Sequence, residues 1–120
     1  MTSPLVWFDI PARDLDRAVA FYAAVLGRPI VKQQFPEVAV AVLPHEEGEL
    51  TGCLYPSDEP PAVHGPLLYF SCAGRLDDAI GQVEPNGGKV LKGRHAIGPY
   101  GFRAVVLDSE GNRIALHSPI

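Results

Sequence analysis

The sequence predicts an α+β protein in which two tandem βαβββ modules pair into a half-open barrel around a cavity. The predicted order of strands and helix occurs twice within the 120 residues, over about 4–60 and again over about 65–120. The 12 glycines and 12 prolines are spread along the chain and divide it into many short elements. A shift of 61 residues superposes five pairs: Leu15 on Leu76, Asp16 on Asp77, Ala18 on Ala79, Val19 on Ile80 and Gly27 on Gly88. Duplication of one module accounts for these observations together.

The first module begins with a β-branched and aromatic run at residues 5–10, closed by Pro11, which is typical of a short strand. Asp14 then predicts the start of a helix of about twelve residues, and Gly27 predicts its end. Apolar residues recur within it at intervals of three and four: Leu15, Ala18, Val19, Tyr22 and Leu26. Three further strands are predicted at 29–34, 38–43 and 50–55.

The second module repeats this order after a loop rich in proline and acidic residues at 56–65. A strand is predicted at 67–72, followed by a helix whose apolar face carries Leu76, Ala79, Ile80 and Val83. The run at 85–88 ends that helix. Three strands complete the module, at 89–92, 102–107 and 113–118, and the last two are joined by a hairpin turn at 109–112.

The length and composition indicate one globular domain over residues 1–120. Hydrophobic residues make up 47% of the chain and charged residues 20%, which excludes a disordered or coiled-coil protein. A net charge of -4 makes a nucleic acid an improbable partner, since phosphate backbones are bound by concentrated basic surfaces. We therefore expect a packed core and a partner other than nucleic acid.

The cysteines and the apolar runs bear on the cellular compartment. Cys53 and Cys72 form no C-x-x-C pair and no dense disulfide framework, which favours a reducing environment. The apolar run at 38–43 is far shorter than the roughly 20 residues that cross a bilayer. The N-terminus also lacks the pattern of a signal peptide. We expect a soluble cytoplasmic protein that does not use a membrane as a partner.

Several catalytic motifs are missing from the chain. The sequence contains no G-x-S-x-G turn, no phosphate-binding G-x-x-x-x-G-K-[ST] loop and no G-x-G-x-x-G run after a strand. These absences argue against a serine hydrolase, a nucleotide hydrolase and a dinucleotide-dependent dehydrogenase.

Four segments carry a resemblance to a known family: WFDIPARDLDRAVAFY at 7–22, GPLLYF at 65–70, NGGKV at 86–90 and YGFRAVVLDSEGNRIALHS at 100–118. Through these segments, which are spread over both modules, the chain resembles the glyoxalase, bleomycin-resistance and extradiol-dioxygenase superfamily along its whole length. This family is also called the vicinal oxygen chelate superfamily. The resemblance implies the two-module barrel. It does not fix the activity, because one fold serves many chemistries.

The resemblance also implies where a metal would bind. Metal enzymes of this family place His or Glu ligands on the first and last strands of each module, and the corresponding positions here are Trp7, Leu68, Ala115 and a position near Cys53. Indole and aliphatic groups do not bind divalent metals. We therefore expect no metal cofactor. The alternative is a divalent-metal enzyme with non-standard ligands, such as His117 and Asp9 together with His45 or His64.

Side chains two residues further along each strand should lie on the same face. They are Asp9, Tyr55, Phe70 and His117, and they are expected to line one cavity with Trp7 at its floor. His117 is the candidate general base and Asp9 the group that orients it, because imidazole titrates near neutral pH.

A loop at 94–101 is expected at the rim of this cavity, where mobile segments often close over ligands. It carries Arg94, His95 and Tyr100 between glycines, and Arg103 follows it. Either arginine is a candidate partner for a ligand carboxylate, and Tyr100 is a candidate ligand contact.

These observations favour a metal-free protein that holds a small organic molecule in its cavity, either for binding and sequestration or for acid–base chemistry. A metal-dependent lyase, isomerase or dioxygenase of the same superfamily is the first alternative, and a non-catalytic interaction module is the second. The open sheet edges, and the resemblance, further predict a symmetric homodimer.

Overall fold

The computed structural model describes residues 4–120. Two four-stranded sheets each carry one helix, and this confirms the α+β class and the repeated βαβββ order. The first sheet contains β1 (Asp9–Ala12), β2 (Lys32–Gln34), β3 (Ala39–Val42) and β4 (Cys53–Pro56). The second contains β5 (Leu68–Ser71), β6 (Lys89–Ala96), β7 (Phe102–Leu107) and β8 (Arg113–Ser118). The helices are α1 (Leu15–Leu26) and α2 (Leu76–Val83).

Both sheets have the same topology. Their strand orders are β1-β4-β3-β2 and β5-β8-β7-β6. The first strand of each module pairs in parallel with its last, and the remaining neighbours are antiparallel. The sheets do not close into one barrel, so each keeps one face away from its helix.

Helix α1 begins and ends where the sequence predicts. The Asp14 side chain accepts a hydrogen bond from the Arg17 amide at 3.0 Å, and Gly27 ends the helix with φ of 69°. Its fully buried residues are Ala18, Phe21, Tyr22 and Val25. The predicted residues Leu15, Val19 and Leu26 pack beside them and remain partly exposed. The buried stripe is therefore rotated from the predicted one by part of a turn.

The bounds of β1 to β6 differ from the predictions by one to four residues at an end, and the largest differences are in β1 and β6. β1 begins at Asp9 and includes Pro11, because it lies at the edge of its sheet, where a missing amide donor removes no ladder bond. β6 continues through Gly93 to Ala96, so residues 94–96 of the predicted rim loop belong to the strand. Two irregularities in its pairing with β7 absorb the extra residues. Only 97–101 remain as the link between these strands.

A single apolar core joins the modules. Phe70 on β5 packs edge-on against Phe8 at 5.9 Å and against Tyr22 at 5.7 Å between ring centroids. Helices α1 and α2 also contact each other. Because these contacts lie on the helix-bearing side of both sheets, the opposite faces remain available for a site.

The 61-residue shift holds for the helices and fails for the strands before them. Residues 13–14 connect β1 to α1, whereas residues 72–75 connect β5 to α2. Leu68 therefore pairs with Ile114, which is in the core, while Tyr69 pairs with Ala115, outside the core cluster. The longer connection moves the side chains of β5 to the faces opposite to those expected.

Within residues 4–120, neither helix is both long enough and apolar enough to span a membrane.

Candidate functional site

Three nitrogen-bearing side chains form a row across the open face of the second sheet. His95 on β6 lies directly opposite Arg103 on β7, and Arg103 lies directly opposite His117 on β8. Directly paired residues project from the same face of a sheet. The antiparallel register therefore brings together side chains that are distant in sequence.

Arg103 is at the centre of this row and bonds only to neutral groups. Its Nε donates to Nε2 of His95 at 2.9 Å, and its Nη1 donates to the phenolic oxygen of Tyr69. The guanidinium carbon lies 5.8 Å from the centre of the Tyr69 ring. The ion pairs formed within residues 4–120 join other side chains: Arg17 with Glu110, Lys32 with Asp16, and Arg94 with Asp77. No carboxylate of this part of the chain compensates the charge of Arg103.

The contacts of His95 define its tautomer. Nε2 accepts from Arg103, so it carries no proton. Nδ1 lies 2.8 Å from the carbonyl oxygen of Gly93, which can only accept, so Nδ1 carries the proton and donates it. His95 is therefore a neutral ring held in one orientation between a backbone carbonyl and the arginine.

His117 has the opposite tautomer. Its Nε2 lies 2.6 Å from the carbonyl oxygen of Tyr100 and must donate to it. Nδ1 has no hydrogen-bond partner among residues 4–120. A backbone carbonyl thus orients the imidazole and leaves the other nitrogen free to accept a proton.

A depression of about 540 Å³ lies beside this row. It is lined by Tyr69, Ile97, Tyr100, Arg103 and His117. These five side chains together with His95 are called the basic cup below. The rings of Tyr69 and His117 meet edge-on with 6.5 Å between their centroids. The basic cup combines a cationic centre with an aromatic wall, which suits a flat molecule that carries a negative charge.

The open face of the first sheet carries a different group. Asp9 Oδ1 accepts from the indole nitrogen of Trp7 at 2.9 Å and from the thiol of Cys53 at 3.3 Å. Burial, followed by the hydrogen bond and charge of Asp9, raises the pKa of the Cys53 thiol to about 11. Tyr55 lies two residues further along the same strand. This face therefore presents a carboxylate, an indole and a protonated thiol.

The structure brings together three of the predicted site residues, and the other five are not part of the basic cup. Tyr100, Arg103 and His117 meet in the basic cup. Trp7, Asp9 and Tyr55 belong to the first module. The hydrogen bond expected between Asp9 and His117 is not formed, since Asp9 accepts from Trp7 and Cys53 while His117 donates to Tyr100. The carbonyl of Tyr100 takes the orienting position that was expected for the Asp9 carboxylate.

Phe70 and Arg94 lie elsewhere than expected. Phe70 pairs with Leu116 on the core side of its sheet and lines a second cavity of about 520 Å³ between the modules, which Tyr69 also borders. The predicted faces of β5 are therefore wrong by one residue. Arg94 is part of β6 and not of a rim loop. Its guanidinium stacks 4.4 Å from the ring centre of Phe102 and pairs with Asp77 on α2 at 3.6 Å. Arg94 therefore faces the helix.

Three members of the cup are not among the predicted site residues: Tyr69, His95 and Ile97. The 61-residue shift taken from the helices predicts the wrong face for Tyr69. The sequence places His95 in a loop, whereas its orientation depends on the irregular pairing of β6. Gly93 in the middle of the strand was the available signal, since an isolated glycine in a strand often marks a bulge.

The residues at the family's metal positions do not fit a divalent cation. With the register of β5 corrected, these positions carry Trp7, Tyr69, Ala115 and Cys53. The indole of Trp7 and the methyl group of Ala115 offer no ligand atom, and the Cys53 thiol already donates to Asp9 at 3.3 Å. Within residues 4–120, no group of three His, Cys, Asp or Glu side chains is arranged to hold a metal ion.

Solved structures with similar folds include a glyoxalase/bleomycin resistance protein/dioxygenase family enzyme from Burkholderia phytofirmans, with a TM-score of 0.74 and 19% identity over 98% of this chain and 100% of the other. The fosfomycin resistance protein FosX from Listeria monocytogenes gives a TM-score of 0.70 and 15% identity, covering 98% of this chain and 94% of that one. A glyoxalase I mutant from Zea mays gives a TM-score of 0.74 and 18% sequence identity, covering 97% of this chain and 46% of the maize chain. These similarities establish the fold.

A comparison with curated proteins finds no match. A family model described as the Glyoxalase/Bleomycin resistance protein/Dioxygenase superfamily matches residues 5–116. The match covers both modules, the Asp14-capped helix and the hairpin between β7 and β8. The chain therefore belongs to the glyoxalase, bleomycin-resistance and dioxygenase superfamily.

Proposed function

We propose that this protein binds a small organic anion with an aromatic or apolar body in the basic cup, without the metal that metal enzymes of the superfamily use. The observation that carries the proposal is the charge of Arg103, which meets only the neutral acceptors Tyr69 and His95. A guanidinium that lacks a carboxylate partner inside an aromatic depression is well suited to bind a carboxylate or a phosphonate.

The surroundings of Arg103 favour an anion over a neutral ligand. The chain as a whole carries a net charge of -4, yet the basic cup contains an arginine, two histidines and no acid. An anion entering the cup would form charge-assisted hydrogen bonds, which are roughly twice as strong as neutral ones. Tyr69 and Tyr100 would contact its apolar body.

The test uses three probes of similar size: benzoate, phenylphosphonate and the neutral benzyl alcohol. Binding is followed by the amide chemical shifts of the folded protein. We expect at least one anion to bind more tightly than benzyl alcohol. Arg103→Met should weaken its binding about tenfold or more, in line with the loss of charged hydrogen bonds.

Arg13→Met is the matched control, because Arg13 is an exposed arginine outside the cup. It should leave anion binding unchanged. If neither anion shifts the resonances of cup residues, or if Arg103→Met binds both anions as tightly as the unaltered protein, the proposal is wrong.

Metal-free acid–base chemistry is the second candidate, and the free Nδ1 of His117 favours it. Nδ1 can take a proton from a carbon next to the carbonyl of a ligand held by Arg103. The carbonyl of Tyr100 would stabilise the imidazolium that forms, since it already accepts from Nε2.

A symmetric homodimer remains part of the proposal. Trp7 is 45% exposed and lies in the first module, outside the basic cup. A second copy that covers this ring would remove it from water. Light scattering at micromolar concentration should give the mass of two chains, and the mass of one chain would contradict this expectation.

The proposed location is a reducing cytoplasm. Cys53 and Cys72 are both free and buried, and burial is the main cause that raises the pKa of each thiol. Such thiols resist oxidation and suit a compartment that keeps them reduced.

A further inference from the structure

We infer that His95 and Tyr69 are positioning residues, which fix the guanidinium of Arg103 so that its two terminal nitrogens receive the ligand's anionic group end-on. This inference rests on the proposed function, because it specifies how the same cup recognises its anion. It adds two residues to the recognition machinery and defines the direction from which the anion approaches.

The argument begins with the donors of Arg103. A guanidinium has five N–H groups: one on Nε, two on Nη1 and two on Nη2. His95 takes the Nε proton, and Tyr69 takes one of the Nη1 protons. One proton on Nη1 and both protons on Nη2 therefore remain for a ligand.

The remaining donors allow only one of the two bidentate geometries. An anion that binds side-on uses Nε and Nη2, and the Nε proton is already donated to His95. An anion that binds end-on uses the facing protons of Nη1 and Nη2, and we assign to Tyr69 the other Nη1 proton, the one directed towards Cδ. Two oxygens of one carboxylate or phosphonate can bind to this edge simultaneously.

His95 is itself held in place by the backbone. Its Nδ1 donates to the carbonyl of Gly93 at 2.8 Å, and this contact leaves Nε2 as the acceptor for Arg103. The irregular pairing of β6 brings His95 directly opposite Arg103. A flexible arginine is thus fixed by a chain of contacts that begins at a backbone oxygen, which reduces the entropy lost when the anion binds.

The test is a double-mutant cycle with benzoate and phenylphosphonate as anionic probes and benzyl alcohol as the neutral one. His95→Ala should weaken binding of the anions about tenfold, the equivalent of one hydrogen bond, and leave that of benzyl alcohol unchanged. In a protein that already carries Arg103→Met, His95→Ala should have no further effect. His95→Gln should retain most of the affinity, because its amide oxygen can accept from Nε.

A second variant keeps the inference testable if His95→Ala does not fold. Tyr69→Phe removes the acceptor of Nη1 and keeps the ring, and it should also weaken the anions selectively. Thermal unfolding of each variant verifies that it is folded before binding is measured.

The outcomes separate the two levels of the proposal. If Arg103→Met does not weaken anion binding, the proposed function is wrong. If Arg103→Met weakens it while His95→Ala and Tyr69→Phe do not, only the positioning inference fails. An equal effect of His95→Ala in the presence and absence of Arg103 would likewise overturn the inference, because the histidine would then act independently of the arginine.

Discussion

The phenol of Tyr22 donates a hydrogen bond of 2.6 Å to Oδ2 of Asp108, and this contact joins helix α1 of the first module to the β7–β8 hairpin of the second. Both side chains are fully buried. Oδ1 of Asp108 accepts from the amides of Glu110 and Asn112, and the Asn112 side chain reaches back to the carbonyl of Pro11 at 2.9 Å. Burial and then the charge of Asp108 raise the pKa of Tyr22 well above its ordinary value. The acidic hairpin is therefore a polar link between the modules.

Removal of the Tyr22 hydroxyl should destabilise the whole fold. Tyr22→Phe leaves Oδ2 of Asp108 with Asn112 as its remaining donor, and we expect the free energy of unfolding in urea to fall by about 1–3 kcal/mol. Tyr100→Phe is the control, because Tyr100 is 75% exposed and takes no part in this link. Equal stability of the Tyr22→Phe and Tyr100→Phe variants would contradict the prediction.

Glu110 should provide stability that depends on pH. Burial alone would raise the pKa of its carboxyl. Hydrogen bonds from Arg17, the Asp14 amide and Ser109, together with the charge of Arg17, outweigh burial and lower the pKa below the ordinary value of 4.5. A carboxyl whose pKa is lower in the folded state than in the unfolded state stabilises the fold at pH values above its unfolded-state pKa. This stabilisation is lost as the pH falls through the folded-state pKa.

Glu110→Gln should therefore lower the free energy of unfolding by about 1.5–3 kcal/mol at pH 7, and the difference from the unaltered protein should shrink below pH 4.5. Urea unfolding at pH 7 and at pH 3 measures this. Asp108, whose pKa is raised, contributes to the free energy of unfolding with the opposite pH dependence. This contribution is the same in both proteins and cancels when their free energies of unfolding are subtracted. Glu37→Gln, a control at an exposed position, should leave the free energy of unfolding unchanged at both pH values. If the loss of stability in Glu110→Gln is the same at pH 7 and pH 3, the role assigned to Glu110 is wrong.

The Asp9 carboxylate should suppress the reactivity of Cys53. With a pKa of about 11, only about one thiol in a thousand is ionised at pH 8. Asp9→Asn removes a negative charge next to the sulfur, so alkylation by iodoacetamide should become several-fold faster. The measurement uses a Cys72→Ala background, in which Cys53 is the remaining thiol. An unchanged rate would show that burial alone controls the thiol.

Gly101 should be essential for the geometry of the cup. Its φ of 99° lies in the region that favours glycine, and an added Cβ would lie 2.5 Å from the Ser118 carbonyl oxygen. We expect Gly101→Ala to cost about 1–3 kcal/mol of stability and to disturb the neighbouring Tyr100 carbonyl that orients His117. Gly93→Ala is the matched control, because a Cβ there meets no atom within 4 Å. Similar thermal midpoints for the two variants would refute the prediction.

The free Nδ1 of His117 leads to a catalytic prediction. Phenylpyruvate carries a carboxylate, an aromatic ring and an acidic C–H next to its ketone. In deuterated water Nδ1 of His117 should remove this proton, exchange it with solvent and return a deuteron. The protein should therefore accelerate hydrogen–deuterium exchange at that carbon. His117→Gln should abolish the acceleration and leave phenylpyruvate binding largely intact. Exchange at the uncatalysed rate with the unaltered protein would restrict the function to binding.

Much of the fold could be read from the chain because its signals are local. The capping of α1 by Asp14, its end at Gly27 and the bounds of β7 and β8 all follow from residues within a few positions of each element. The structure also brings the predicted residues Tyr100, Arg103 and His117 together in the basic cup. Strand alternation was sufficient for β7 and β8, where the hairpin fixes the register.

The remainder depends on lengths and irregularities that carry weak sequence signals. A connection at 72–75 that is longer than its counterpart at 13–14 reverses the faces of β5, so Tyr69 replaces Phe70 on the open side. The irregular pairing of β6 turns His95 towards Arg103. A shift of one residue is sufficient to move a side chain from a site into the core.

The link made by Asn112 also has a consequence for the order in which the protein folds. The Asn112 side chain donates to the carbonyl of Pro11, which lies 101 residues earlier in the sequence. Asp108 accepts from the phenol of Tyr22, which lies 86 residues earlier. A ribosome releases the early half of the chain long before these partners are translated. The nascent first half must therefore leave both groups to water, and it reaches its final packing only when the late hairpin arrives.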